Sequence, residues 1–394
     1  MSASAPETAT SSATDAFLSG QGIAVDPAKV EAELTRLWGP AAEQVGGPDL
    51  ENPNVTRVVL ANLVVEADAG TAGRVSAAID EVVARFPSRA IVLGRTGAAG
   101  RRVTAEVAAL CHLPAPGMPQ VCSERILLKA GPEAVDLLPG AVRPLLEADL
   151  PVILWWTGDP RAAEGLYRSL AREATRIILD LPDPGADAEA LRLGLDPTIH
   201  AYSRDSAWFG IARWRELVAQ FFDGDPCREA IGRISSVEVE AVTPTVGDGR
   251  PPRLAAWLAA WLAGQLGWKG ARRPDPGPGR LDATFTAEGG REVNLAIRSV
   301  ADPSAADVRL RSVTIGINAG TGPSCFRLER PEGRPDDIRV EVCSDRTCAL
   351  PRVVVAPELD AAHRIAAGLE SARLDEPFRR ARPHALWLLS GGVS

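Results

Sequence analysis

At 394 residues and 41.6 kDa the chain is too long for one ordinary hydrophobic core, so two domains are the natural expectation. Apolar residues make up 45% and charged residues 24%, the balance of a soluble globular protein. A formal net charge of -8 and a pI near 5.3 argue against a nucleic-acid binder and against attachment to an anionic membrane surface, since both need a basic face.

The first 20 residues are rich in Ala, Ser and Thr and lack both a basic start and an apolar run, so neither a secretory signal nor a transit peptide is expected. Residues 1–22 read as a disordered tail. The most apolar stretch, residues 254–266, is too short to span a bilayer. Six cysteines scattered through a long chain point to reduced thiols and a cytoplasmic protein.

Ordered structure is expected from Asp26-Pro27, an N-cap and N1 pair, with Val30, Leu34, Leu37 and Trp38 at helical spacing. Residues 57–66 (RVVLANLVVE) read as a strand buried on both faces. Val75, Ala78, Ile79, Val82, Val83 and Phe86 follow as the apolar stripe of a helix that Pro87 ends. Residues 89–94 (RAIVLG) are another short strand, so the three make a βαβ unit with parallel pairing.

The theme repeats: a strand at 125–129, an interrupted helix at 134–147, a strand at 151–156 (PVILWW), a helix carrying Leu166, Tyr167 and Leu170, and a strand at 175–180. Asp159-Pro160 is again a cap pair. Ile211, Trp214, Leu217, Val218, Phe221 and Phe222 mark a further helix, residues 234–242 a strand, and Trp257, Leu258, Trp261 and Leu262 an aromatic-rich helix face. Residues 269–280 (KGARRPDPGPGR) read as a linker or long loop.

Beyond it the period changes to two. Val293, Leu295 and Ile297, then Val313, Ile315 and Ile317, then Ile338, Val340 and Val342 alternate with polar residues, as in an antiparallel sheet with one solvated face. A last helix is expected at 358–374. The fold class is therefore an α/β N-terminal domain with a mostly parallel sheet over 23–245, then an α+β C-terminal domain with an antiparallel sheet over 246–394.

Catalytic motifs are missing. No G-x-x-x-x-G-K-S/T loop occurs, no G-x-G-x-x-G follows a strand, and no G-x-S-x-G elbow exists. Gly94-Arg95-Thr96-Gly97 is a glycine turn without the third glycine. None of the four histidines sits in H-E-x-x-H, and Cys111-His112 with Cys122 has the wrong gap for a structural zinc site. Neither a metal nor a cofactor is expected.

Strand-end acids Asp159, Asp180, Asp205 and Asp223 admit an α/β enzyme or sugar-phosphate binder, although caps and turns account for such residues more simply. Cys343 and Cys348 flank a four-residue turn and admit a cross-strand redox pair beside the plainer reading of two strand cysteines. Nine tryptophans against two tyrosines are clustered, and each is weighed between core packing and a partner contact.

Four stretches carry a resemblance. Asp149-Leu150-Pro151-Val152-Ile153-Leu154-Trp155-Trp156-Thr157-Gly158-Asp159-Pro160 is similar to the D-L-P-V-x-L-W-W-x-G-D/E-P signature of OpcA-type proteins. Asp205-Ser206-Ala207-Trp208 and then Trp214-Arg215-Glu216-Leu217 through Phe221-Phe222-Asp223 resemble that family's D-L-x-W and W-R-E-L-x-A-x-F-F-D block. Residues 57–65 resemble its N-terminal strand, and Cys122-Ser123-Glu124-Arg125-Ile126 a strand start.

The resemblance covers residues 30–225 and leaves 270–394 without a matching motif. It implies a non-catalytic protein that binds glucose-6-phosphate dehydrogenase and promotes its active oligomer. Trp155, Trp156, Asp159, Trp208, Trp214, Arg215, Glu216 and Phe222 are the expected contact residues, and the resemblance brings no catalytic residue with it.

Overall fold

A computed structural model describes residues 20–43, 55–113, 115–116, 120–183, 188–223, 227–245, 250–318, 324–343, 351–371 and 374–390. The expected tail, up to residue 19, and Cys348 with the side chain of Cys343 lie outside the described residues. The described residues fall into two compact units, one drawn from 1–180, 195–203 and 365–371, the other from 181–194, 204–364 and 372–394.

The first unit runs β1 (Ile23–Val25), α1 (Val30–Glu43), β2 (Val55–Arg57), β3 (Asn62–Ala67), α2 (Ala72–Arg85), β4 (Arg89–Arg95), β5 (Val103–His112), β6 (Gln120–Ala130), α3 (Leu138–Val142), β7 (Val152–Trp156), α4 (Glu164–Glu173) and β8 (Arg176–Leu179). After α5 (Ala188–Gly194) the chain adds β9 (Ser203–Asp205), giving the strand order β1-β5-β6-β4-β3-β7-β8-β9.

β3 is buried at every position, as a strand covered on both faces must be, and it pairs in parallel with β4 and β7. β6 joins β4 and β8 joins β7, also in parallel. Read from β6 to β9, the strands come third, second, first, fourth, fifth and sixth in the chain: the doubly wound order, with its switch point between β3 and β7.

The expected mostly parallel sheet is nevertheless mixed. β5 inserts antiparallel to β6, and β1 pairs antiparallel to β5. The Ala-rich run of β5 carries little β-propensity, so its sequence does not announce a strand. Cys111 of β5 lies directly opposite Cys122 of β6, with Cα atoms 4.0 Å apart, and the two form a disulfide. This corrects the expectation of reduced thiols at these two positions.

In the second unit come α6 (Ser206–Gly210), α7 (Ala212–Gln220), α8 (Cys227–Ala230), β10 (Ile234–Thr243), α9 (Arg253–Gln265), β11 (Lys269–Gly277), β12 (Arg280–Thr286), β13 (Glu292–Ala301), β14 (Arg309–Ile317), β15 (Cys325–Glu329), β16 (Asp337–Cys343) and β17 (Arg352–Val355). The chain continues through α10 (Ala361–Glu370), where the last helix was expected, to a further helix, α11 (Glu376–Leu389).

The strand order is β11-β12-β13-β10-β14-β15-β16-β17. Its alternating strands bury Val293, Leu295, Ile297, Val313 and Ile315 as their period predicts. The sheet is mixed rather than purely antiparallel, because β10 and β13 run parallel across an eight-residue register from Ser236↔Asn294 to Thr243↔Ala301. β10 is thus a central strand of the second sheet.

The expected linker at 269–280 is instead β11 and the start of β12. β11 is an edge strand whose register slips twice against β12, the position where a sheet tolerates proline. α9 packs on β10, β13, β14 and α11. Gly264 permits the contact with α11: a Cβ there would stand 2.7 Å from the Arg380 backbone.

Candidate functional site

Open α/β sheets bind ligands outside the carboxyl ends of their strands, at the switch point. In the first unit that place lies after β3 and β7, where Asp68-Ala69-Gly70-Thr71 leads into α2 and Thr157-Gly158-Asp159 follows the Trp155-Trp156 strand end. The chain's own side chains occupy it.

Glu66, fully buried in β3, accepts from the Gly158 backbone N–H at 3.0 Å and from Arg95 Nε at 2.6 Å. Asp68 Oδ1 accepts from the backbone N–H groups of Gly70 (2.9 Å) and Thr71 (3.0 Å), and Arg95 reaches Asp68 at 3.4 Å. Thr157 Oγ1 donates to the Glu66 carbonyl, and its contact with Thr71 Oγ1 is also 2.7 Å.

The N–H groups at a helix start and the positive end of its dipole favour an anion. Here Asp68 stands just before that start, its carboxylate on the Gly70 and Thr71 N–H groups and its carbonyl on the Ala72 N–H. Burial pushes the Glu66 carboxyl above its ordinary range, opposed by the Arg95 guanidinium and the Gly158 N–H. At Gly158 a Cβ would stand 2.9 Å from Asp68 Oδ2, 3.1 Å from Arg95 and 3.2 Å from Glu66 Oε2, so a larger residue would push these side-chain ends apart.

Asp159 caps the following turn as expected, accepting from Arg161 N at 2.8 Å and pairing with its guanidinium. That Arg161 pairing holds the Asp159 carboxyl below the usual range. Asp180 is buried and paired with Arg74 at 3.0 Å. Trp155 and Trp156 are both fully buried on opposite faces of the sheet, Trp156 packing edge-on against Tyr167 of α4 at 5.0 Å. Neither indole reaches the surface to touch a partner.

At the amino ends of the same strands, further resemblance residues converge. Glu124 binds Trp38 Nε1, Arg89 Nε and Arg57, each at 2.7 Å. The Asn62 amide bridges the Glu147 backbone at 2.8 and 2.9 Å. These groups tie strands together.

The second block lies in the second unit and is organised by Asp205. This buried carboxylate caps α6 through Ala207 N (2.9 Å) and also accepts from Arg253 (3.0 Å) and Trp257 Nε1 (2.9 Å). Trp208 is fully buried, stacked edge-on with Trp257 and Phe378, and its indole N–H reaches Asp375 at 2.7 Å.

Arg215 lies 3.6 Å from the Trp208 ring centroid, and burial lowers its pKa to about 10. Trp214 is buried and Phe222 packs edge-on to Phe326 at 5.1 Å. Of the expected contact residues, Glu216 is exposed, pairing with Arg213 at 2.6 Å, and Asp159, Arg215 and Phe222 are partly exposed.

Sequence reasoning missed Glu66, Asp68 and Arg95. The one signal for Glu66 was an acid inside a wholly apolar strand. Arg95 was visible only as part of a glycine turn.

Strand order and switch point define a doubly wound, nucleotide-binding type of fold, carrying a second mixed-sheet unit, whose ligand position is filled from within. Family models described as the glucose-6-phosphate dehydrogenase subunit N-terminal and C-terminal domains match residues 79–193 and 201–382. The chain belongs to the OpcA family, and the match runs well past residue 225, where recognisable motifs end.

It is 27% identical over 273 residues to the OxPP cycle protein OpcA of Nostoc punctiforme, covering 64% of this chain and 57% of that one. With the protein of the same name from Synechocystis it shares 29% over 194 residues, covering 48% and 39%. The chain thus spans about half the length of these curated relatives. Among solved structures, glucose-6-phosphate 1-dehydrogenase from Mycobacterium avium is similar in fold, with a TM-score of 0.51, 10% identity, and 84% and 91% of the two chains covered. No helix among the described residues is long and apolar enough to cross a membrane.

Proposed function

We propose that the chain is a non-catalytic effector that binds glucose-6-phosphate dehydrogenase in the cytoplasm and promotes its active oligomer, acting in the oxidative pentose phosphate cycle. Family membership supports the partner. The observation that supports the non-catalytic half is the Glu66–Asp68–Arg95–Gly158 network, in which the chain's own charged groups engage backbone N–H groups at the carboxyl ends of β3 and β7, where this type of fold ordinarily receives a ligand.

The effector works by binding the active form of its partner more tightly than the inactive form, which shifts the population toward activity. The exposed Glu216 of the second block makes the contact. Regulation through Cys343 and Cys348 belongs to the same proposal and calls for a thiol count before and after oxidation.

The test mixes the purified chain with its own organism's glucose-6-phosphate dehydrogenase at micromolar concentration. Co-elution on a sizing column and a change in kcat or KM are expected, with Glu216→Arg weakening both while leaving the melting temperature unchanged. Separate elution with unaltered kinetics sinks the reading. So does tight binding of a nicotinamide dinucleotide by the chain alone, which the filled switch point opposes.

A further inference from the structure

A second cavity lies wholly within the second unit, where β10 and β13 end and β14 begins. It encloses about 410 Å³, a volume suited to a small metabolite. Its wall carries three guanidiniums, from Arg309, Arg311 and Arg330, against the carboxylates of Asp302 and Glu332.

Two of these cations are already compensated. Arg309 pairs with Asp302 at 3.0 Å and Arg311 with Glu240 at 3.2 Å. Arg330 is not. It is only 8% exposed, its Nη1 donates to the carbonyls of Pro335 and Ala356, and its buried Nε has no hydrogen-bond partner. Glu358, Asp336 and Asp337 act on it through space and the Trp214 ring centroid lies 5.9 Å from its guanidinium carbon, yet it forms no ion pair among the described residues.

Buried charges in folded proteins are paired or coordinate a ligand, because desolvating a lone cation is costly. A buried guanidinium that has no direct ion pair, on the wall of a cavity of this size, is a place for an anion, and a planar guanidinium fork suits phosphate oxygens. Arg309 and Arg311, although paired, line the same wall and can offer further N–H donors to the oxygens of a phosphate group.

We infer that this cavity binds a small organic phosphate monoester of sugar-phosphate size, anchored by Arg330. The inference is independent of the dehydrogenase reading, because it concerns the isolated chain.

Thermal melting and calorimetric titration of the purified full chain test it, with glucose 6-phosphate, inorganic phosphate, glucose and citrate as probes at millimolar concentration. Glucose 6-phosphate is expected to bind saturably and raise the melting temperature, with glucose and citrate inactive. Arg330→Met should weaken binding at least tenfold, with circular dichroism checking that the variant, which loses the bonds to the Pro335 and Ala356 carbonyls, is still folded. Arg309→Ser should weaken binding by a smaller factor, and Arg215→Met, elsewhere in the unit, should leave it unchanged.

Absence of saturable binding overturns the assignment, as does equal binding by Arg330→Met. Equal affinity for inorganic phosphate would reduce the site to an adventitious anion only and overturn the organic part.

Discussion

Glu66 in the first unit and Asp205 in the second are both fully buried carboxylates, but their surroundings differ. Asp205 receives an indole N–H, a guanidinium and a backbone N–H within 3.0 Å, so its lone pairs are well used. Glu66 has one guanidinium and one backbone N–H, and burial still raises its pKa. Depth alone therefore does not tell what a buried acid is for. Asp205 assembles helices α6 and α9; Glu66 fills a place that this fold ordinarily leaves for a ligand.

Removing each acid should widen that contrast. Asp205→Ala removes the acceptor shared by the Arg253 guanidinium, the Trp257 indole and the Ala207 N–H, leaving Arg253 the more distant Asp183 at 3.8 Å, and is expected to cost about 3–5 kcal/mol in urea unfolding. Glu66→Ala leaves Arg95 the nearby Asp68 and should cost less, about 1–3 kcal/mol. Equal losses would erase the distinction.

A pH profile sharpens it further. Asp183, bonded to the Arg253 N–H at 3.0 Å, has its pKa pushed up to about 6 by burial. A raised acid contributes stability that is full below its unfolded pKa and lost as pH rises through the folded one. Between about pH 4 and 6 the parent should therefore lose on the order of 2 kcal/mol relative to Asp183→Asn. Parallel profiles for parent and variant would refute this.

Gly158→Ala drives a Cβ into three charged side chains and should cost about 1–3 kcal/mol by calorimetry. Least affected should be Asp159→Ala, which loses one cap, about 1 kcal/mol. If the cap proves costlier than the glycine, the network around Glu66 is softer than its distances imply.

Much of the first sheet was legible because β3, β4, β7 and β8 are covered on both faces and read as unbroken apolar runs. β5 was not, since alanine packs there without marking a strand. β11 was hidden by proline and glycine that only an edge strand can hold. α11 went unseen because Pro383 and its arginines interrupt the apolar stripe.

At the site, Asp159 was readable because an Asp-Pro pair has a local meaning. Glu66, Arg95 and Arg330 depend on partners distant in sequence, which no local pattern encodes. The paired tryptophans were conspicuous by composition, yet their burial followed from how the helices close over the sheet.

The Glu66–Arg95 pair also bears on how this lineage can change. Losing the acid leaves Arg95 only the more distant Asp68, and losing the arginine leaves a desolvated carboxylate, so either single change lowers stability. The two losses share one partner pair, so replacing Glu66 and Arg95 together should cost less than the two single changes added.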